Sequence, residues 1–373
     1  MTRFINEIYK LRQMKIKTLN ILRVFYLNTS KKYFIDSKNF NYWQTGVLIK
    51  EPIIKPELFP SNENYGIGQQ LKGFSGFSNE IYACIEHGVY FGDNISPYET
   101  FNSGLPATIS FGQARKNAIR LVSRKPFFQI GPYINYAPSL KKKSKTKQKN
   151  ILYFPSHSIE GIFKEHSVAQ NITKIMEIKN KYNYDNVYVC MYYYDILLGY
   201  HKEYEKYDVK IVTAGHRKGP YFLSRLKNLI EDSELTISND LGTHVGYCVF
   251  LNKPHLILKQ KNFFKNETDF NIDTYFRPSW WEETYKNEQE IFNKLFGNYT
   301  ESVTDEQREI CNKYWGFDQI KTDEEIRFIL SSLAEIYKNS KQKTDLDFIR
   351  EFINFIEKNK AHKFIHLVKE AIE

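Results

Sequence analysis

The chain has 373 residues and a net charge of +10, with 42% hydrophobic and 26% charged residues, the composition of an ordinary globular protein long enough to divide into two cores. No apolar run reaches the ~18 residues of a membrane span and no signal-peptide apolar region opens the sequence, so neither secretion nor membrane spanning is expected. Four cysteines, Cys84, Cys190, Cys248 and Cys311, lie far apart, three of them in apolar patterns; they read as reduced core residues of a cytoplasmic protein, not as a disulfide or zinc framework.

Residues 1–32 interleave Arg3, Lys10, Arg12, Lys15, Lys17, Arg23, Lys31 and Lys32 with Phe4, Ile5, Ile8, Leu11, Ile16, Leu19, Leu22 and Phe25. This is a basic amphipathic helix, or two, suited either to an anionic membrane surface at the inner face of the cell membrane or to packing on its own domain. Residues 45–138 are rich in Gly, Pro, Asn and aromatics and lack clean helical periodicity. Within them Ile81–Ile85 is a short apolar strand that ends in Glu86, His87 and Gly88. A carboxylate and an imidazole at a strand end, with glycine permitting close backbone approach, supply what a general base at a cleft requires, although both side chains could equally just terminate the strand. Phe127–Ala137 gives another strand, and Lys141, Lys142, Lys143, Lys145, Lys147 and Lys149, with only Ser, Thr and Gln between them, mark an exposed linker over 139–150.

Beyond the linker, apolar strands alternate with amphipathic helices. Asn150–Phe154 runs into Pro155, Ser156 and His157, and a helical face of Val168, Ile172, Ile175 and Met176 follows. Asp185–Met191 is a second strand. Val209–Thr213 is a third, stopping at Gly215, His216, Arg217 and Lys218 before Gly219 and Pro220 open a helix with Phe222, Leu223, Leu226, Leu229 and Ile230 inside. Leu235–Ile237 then meets Ser238, Asn239, Asp240, Gly242, Thr243 and His244 at a strand-to-helix junction, and Pro254–Leu258 returns as a further strand. This alternation predicts a Rossmann-like domain over 151–270, with a parallel sheet covered on both faces. The C-terminal region, 271–373, reads as helical: Thr304 with Gln307 and Thr322 with Glu325 are capping boxes, and Leu346–Ile372 is a terminal helix pair. Trp280, Trp281 and Trp315 read as packing anchors.

Ligands of open parallel sheets bind at the carboxyl ends of the strands. Three loops there carry polar or basic groups, Ser156–Ser158, His216–Lys218 and Ser238–His244, and converge if the sheet is built as predicted. Backbone N–H groups at the helix start, opposed by Arg217 and Lys218, suit a diphosphate. Ser238 and Thr243 would also serve as helix caps, and His216–Lys218 as a solvated basic loop. Neither GxGxxG nor GxxxxGKS/T occurs, so a dinucleotide dehydrogenase or a P-loop NTPase is not expected.

The order EHG after a strand, IGPYINYAP before a linker, ILYFPSHS and then ISNDLGTHVGYCVFLNKPHLIL resembles the two-domain GT-B glycosyltransferases of bacterial surface (capsular or lipopolysaccharide) polysaccharide synthesis. It is similar in layout to the CDP-glycerol glycerophosphotransferases of wall teichoic acid, whose SDYSS-like stretch is replaced here by Ser238, Asn239, Asp240, Leu241, Gly242 and Thr243. The resemblance spans roughly residues 80–330. It implies a GT-B-like α/β fold of two Rossmann-like domains facing a cleft. The first, reduced, lies in 1–138 on the acceptor side. The implied activity is transfer of a sugar from a nucleotide-sugar donor to a hydroxyl of a polysaccharide or lipid-linked glycan, with inversion and without a metal ion or other cofactor. Ser156, His157, His216, Arg217, Lys218, Ser238, Asn239, Asp240, Gly242, Thr243 and His244 would hold the donor, and Glu86 or His87 would be the base. Competing expectations are polyol-phosphate transfer, a non-catalytic partner of such an enzyme, and nucleic-acid binding driven by the charge and 16% aromatic content. The last is disfavoured because the lysines gather in the linker and the N-terminal segment.

Overall fold

The computed structural model describes residues 48–50, 52, 54–95, 104–139, 148–159, 162–259, 263–266, 281–340 and 344–373. The basic segment 1–32, most of the lysine linker and Trp280 lie outside the described residues. After a 3-10 segment, Pro60–Gly66, the first lobe comprises α1 (Ile67–Ser75), β1 (Cys84–Ile85), β2 (Thr108–Ser110), α2 (Gln113–Arg120) and β3 (Phe127–Gln129). The three strands form a parallel sheet in the order β1-β2-β3, short as expected of a reduced domain. Side chains complete the edge of β1: Asn62 Nδ2 donates to the Ala83 carbonyl (2.9 Å), Asn62 Oδ1 accepts from the Ile85 N–H (2.8 Å), and Ser61 Oγ donates to the Ile85 carbonyl (3.0 Å). The edge thus meets no water and offers no template for a further strand.

The second lobe runs β4 (Asn150–Phe154), β5 (Ile162–Glu165), α3 (Val168–Lys181), β6 (Asn186–Cys190), α4 (Tyr193–Leu197), α5 (His201–Tyr204), β7 (Lys210–Val212), α6 (Phe222–Glu231), β8 (Leu235–Ser238), α7 (Thr243–Phe250), β9 (His255–Ile257) and β10 (Phe263–Asn266). Five of its strands pair in parallel in the order β7-β6-β4-β8-β9. Alternation along each strand splits their side chains between two cores. Leu152 and Phe154 of β4, Val212 and Ile257 face the core shared with the first lobe. Ile151, Tyr153, Val187, Val189, Ile211, Ile237 and Leu256 face the core under Ile172 and Ile175 of α3. The Rossmann-like α/β arrangement follows from this two-sided burial. β5 and β10 form a separate antiparallel ribbon, which no periodicity in the sequence announced.

The C-terminal helices are α8 (Trp281–Phe296), α9 (Asp305–Trp315), α10 (Asp323–Asn339), α11 (Asp345–Lys358) and α12 (Ile365–Ile372). Both expected capping boxes are present, and Thr344 with Asp347 makes a third. These helices do not form a unit of their own: α12 packs against β3 and α10 against α1 of the first lobe, covering its small sheet, while α8 packs against β9 and α9 against α7 of the second. Along the terminal helix pair, Phe352, Ile356, Leu367 and Val368 are buried whereas Ile353 points to solvent.

Trp315 is the pivot between the lobes. Fully buried, it packs among Phe91, Phe292 and Tyr314, and its indole N–H donates to the Thr243 carbonyl (3.0 Å). A Cβ at Gly246 would lie 2.1 Å from Trp315 Cδ2, so only glycine lets α7 approach the indole. Glu288 of α8 adds a polar tie, accepting from the Gly92 N–H (2.6 Å) and the Tyr314 hydroxyl (2.7 Å). Burial raises its carboxyl pKa. Among the described residues no helix is long and apolar enough to cross a membrane.

Candidate functional site

In the order β7-β6-β4-β8-β9, the chain works outward from β4 in one direction and then restarts on its other side at β8. The loops after β4 and β8 therefore leave in opposite directions, and a crevice opens between them at the carboxyl ends of the strands. A cavity of about 270 Å³ occupies this crevice, near the ~300 Å³ lower bound of ordinary small-molecule sites. It is lined by Phe154, Pro155, Ser156 and His157 after β4; by Cys190, Met191 and Tyr192 after β6; by Ala214; and by Asp240, Leu241, Gly242, Thr243 and His244 at the start of α7. Tyr65, His87, Gly88, Val89 and Tyr90 of the first lobe close it from the opposite side.

One contact sets how the lobes meet here. The Val89 N–H donates to Thr243 Oγ1 (3.0 Å), and a Cβ at Gly88 would sit 3.0 Å from the same oxygen. Thr243 is thus no cap of its own helix: Gly242 stands at the N-cap with no side-chain bond, and the threonine hydroxyl receives the loop of the other lobe. The first turn of α7, with its positive dipole end, faces the cavity through Gly242, Thr243 and His244. The His244 ring stacks on Phe154 at 4.9 Å, and Asp240 Oδ1 accepts from the Leu241 N–H (2.9 Å).

Of the predicted donor residues, Ser156, His157, Asp240, Gly242, Thr243 and His244 line the cavity, and His87 faces them. Ser238 and Asn239 do not line it; they hold the crevice in shape. Asn239 Oδ1 accepts from the Ser156 N–H (2.6 Å), tying the two crevice loops together. Ser238 Oγ donates to the Asp240 carbonyl (2.8 Å) and lies 3.0 Å from His255 Nε2. The basic loop also corrects the expectation. Gly215, at φ +94°, turns the chain so that the His216 N–H donates to the Leu48 carbonyl (2.8 Å) and the His216 ring packs on Tyr193. The Arg217 carbonyl accepts from the Tyr65 N–H, and Lys218 pairs with Glu63 at 3.4 Å. His216, Arg217 and Lys218 therefore join the lobes and do not line the cavity.

Glu86 requires the same kind of correction. Its side chain is fully buried, bonded by Arg115 Nε at 2.8 and 3.0 Å, by an Arg115 terminal nitrogen, and by the Ser110 hydroxyl at 2.6 Å. It does not reach the cavity, so no substrate proton is within its reach. His87, next along the chain, turns the other way and does line it. Tyr65, Tyr90 and Tyr192 were not foreseen. The only signal for them was the aromatic density of the first half and of the run after β6; aromatic residues are commoner as core than as ligand walls, so that signal selects none of them.

Beneath α7, His255 is fully buried, with Nδ1 2.9 Å from Thr236 Oγ1 and Nε2 on Ser238. Burial first, and then the nearby His244, hold its pKa well below the ordinary histidine value. The unfolded chain takes up a proton below about pH 6.5 that the native state refuses, so the stability present above that pH is lost as pH falls, by up to about 1.4 kcal/mol per pH unit. Urea midpoints between pH 7.5 and 5 should fall accordingly, and His255→Asn should flatten the dependence. An equally steep fall in the variant would show that other groups carry it.

No protein-family model matches the chain, and no curated protein matches it significantly.

Proposed function

We propose that this protein is a glycosyltransferase of GT-B-like organisation that moves a sugar from a nucleotide-sugar donor to a hydroxyl of a polysaccharide or lipid-linked glycan. One observation carries the reading: the crevice where the parallel sheet reverses its strand order is closed by the His87–Gly88 turn of the opposite lobe, docked on Thr243. An anionic leaving group fits the first turn of α7, where Gly242, Thr243 and His244 present the positive end of the helix. The Asp240 carboxylate at the same rim suits donor hydroxyls. Tyr192 and His157, whose rings lie 4.4 Å apart at the exposed edge, offer a stacking surface for a base or sugar ring.

In this scheme His87 removes the proton of the acceptor hydroxyl as that oxygen attacks the anomeric carbon, and the nucleotide departs towards α7 with the bonding electron pair. Direct attack from the His87 side inverts the anomeric configuration. The helix N-terminus meets the charge that develops on the departing phosphate, so the scheme uses no divalent ion.

A thermal-shift screen tests this. A nucleoside mono- or diphosphate that binds the native state should raise the Tm, by an amount equivalent to about 2.7 kcal/mol at a hundred times its Kd. The shift should be lost in His244→Ala. Stabilisation by CDP-glycerol but by no nucleotide sugar would replace sugar transfer with polyol-phosphate transfer. The absence of any nucleotide effect would overturn both.

A further inference from the structure

The buried Glu86–Arg115 pair, excluded above from the chemistry, is not isolated from the cavity. Arg115 lies with its guanidinium carbon 4.3 Å from the centre of the Tyr90 ring, over its face, and its other terminal nitrogen donates to the Asn94 carbonyl. A cation held by a carboxylate and a carbonyl cannot follow the ring, so the ring is clamped in place by the guanidinium. Tyr90 lines the cavity beside His87, the two rings edge to face at 5.8 Å, and its hydroxyl is 3.4 Å from His87 Nδ1. That separation is long for a formed hydrogen bond, as catalytic bonds commonly are before substrate binds.

We propose that Tyr90 is a positioning residue for His87: its oxygen accepts a hydrogen bond from Nδ1–H and so makes Nε2 the unprotonated nitrogen. A neutral imidazole carries one proton, and the nitrogen that carries it is decided by the partner at the other nitrogen. With the proton on Nδ1 donated to Tyr90, Nε2 can take a proton from an acceptor hydroxyl, and the resulting imidazolium keeps the Nδ1–H to Tyr90 bond. No proton passes to the tyrosine. Glu86 contributes from behind by cancelling the charge of Arg115, which would otherwise oppose a positive His87. Only the catalytic use of this tautomer rests on the transferase reading; the tautomer itself rests on the Tyr90–His87 contact, with the tyrosine oxygen taken as the acceptor.

The test is Tyr90→Phe, which keeps the ring under Arg115 and removes only the hydroxyl. Proton–nitrogen correlation spectra of the full chain with isotope-labelled histidine, at about pH 8 where imidazoles are neutral, should show His87 as the Nδ1–H tautomer. Its signal is assigned by its loss in His87→Gln. In Tyr90→Phe it should revert to the Nε2–H form that free histidine favours, with an unchanged unfolding midpoint. With a nucleotide sugar that supports turnover, kcat should fall about five- to tenfold at unchanged KM, and the acidic limb of the pH profile should move to lower pH. An Nε2–H tautomer in the unmodified protein, or a tautomer unaltered by Tyr90→Phe, would overturn the proposal. A tautomer that responds as expected in a protein that turns over no nucleotide sugar would uphold the positioning role and defeat the transferase reading.

Discussion

Replacing His87 with alanine is expected to lower kcat by about 10²- to 10⁴-fold, the usual contribution of a general base, while nucleotide affinity changes by less than about threefold. The asymmetry follows from where the residue sits. His87 reaches the cavity from the first lobe, opposite the α7 terminus on which the anion would rest, and it is partly exposed. Its removal takes away a proton acceptor without disturbing the turn, because the contact that seats the turn is the Val89 N–H on Thr243. Steady-state kinetics with the nucleotide sugar selected by the ligand screen, alongside calorimetric titration of its nucleotide, measures both quantities. A variant that retains wild-type kcat would end the assignment of His87 as base; one that loses nucleotide affinity and turnover in parallel would make it a binding residue instead.

The second large effect is on stability. Glu86→Ala should cost about 3–5 kcal/mol, because it leaves the Arg115 guanidinium buried without its carboxylate, and that is a large share of the ~5–15 kcal/mol by which domains are stable. Both partners are nearly inaccessible to water, and the arginine is fixed by several bonds, so it cannot swing out to recover solvation. Glu86→Leu combined with Arg115→Leu should recover a good part of the loss, since an apolar pair leaves no charge unpaired. Urea unfolding of the three proteins decides it, and a loss below about 1 kcal/mol in Glu86→Ala would show that the pair is not structural. Turnover per folded molecule of Glu86→Ala should fall less than about tenfold, against the far larger fall for His87→Ala.

Much of the second lobe was legible because its evidence is local. β4, β6, β7, β8 and β9 are apolar runs, three of which (β4, β7 and β8) stop at Pro, Gly or small polar residues, and the main helices between them carry period-3.6 apolar faces. Such signals need only neighbours in sequence. The second lobe's side of the cavity was legible for the same reason: Ser156, His157, Asp240, Gly242, Thr243 and His244 all sit at strand ends. The basic loop misled because a charge run says nothing about where its backbone goes. A positive φ at Gly215 and a carbonyl at Leu48, far away in sequence, carry His216, Arg217 and Lys218 to the lobe junction.

Glu86 and His87 show where the boundary between sequence and tertiary structure lies. Residue types and the strand end already bring a carboxylate and an imidazole to the front of β1, and neighbours along an extended chain point to opposite sides, so the sequence alone determines that no more than one of the two faces a cleft. Which one was decided by Arg115, 29 residues onward, whose guanidinium would be prohibitively costly to bury without a carboxylate and so draws Glu86 inward. In the same way the amphipathic faces of α10, α11 and α12 determined that those helices would be buried, yet only the packed molecule assigned them to the first lobe's sheet. Hydrophobic attraction is non-directional, so a sequence specifies that a face must be covered, and shape and charge complementarity between distant segments select what covers it.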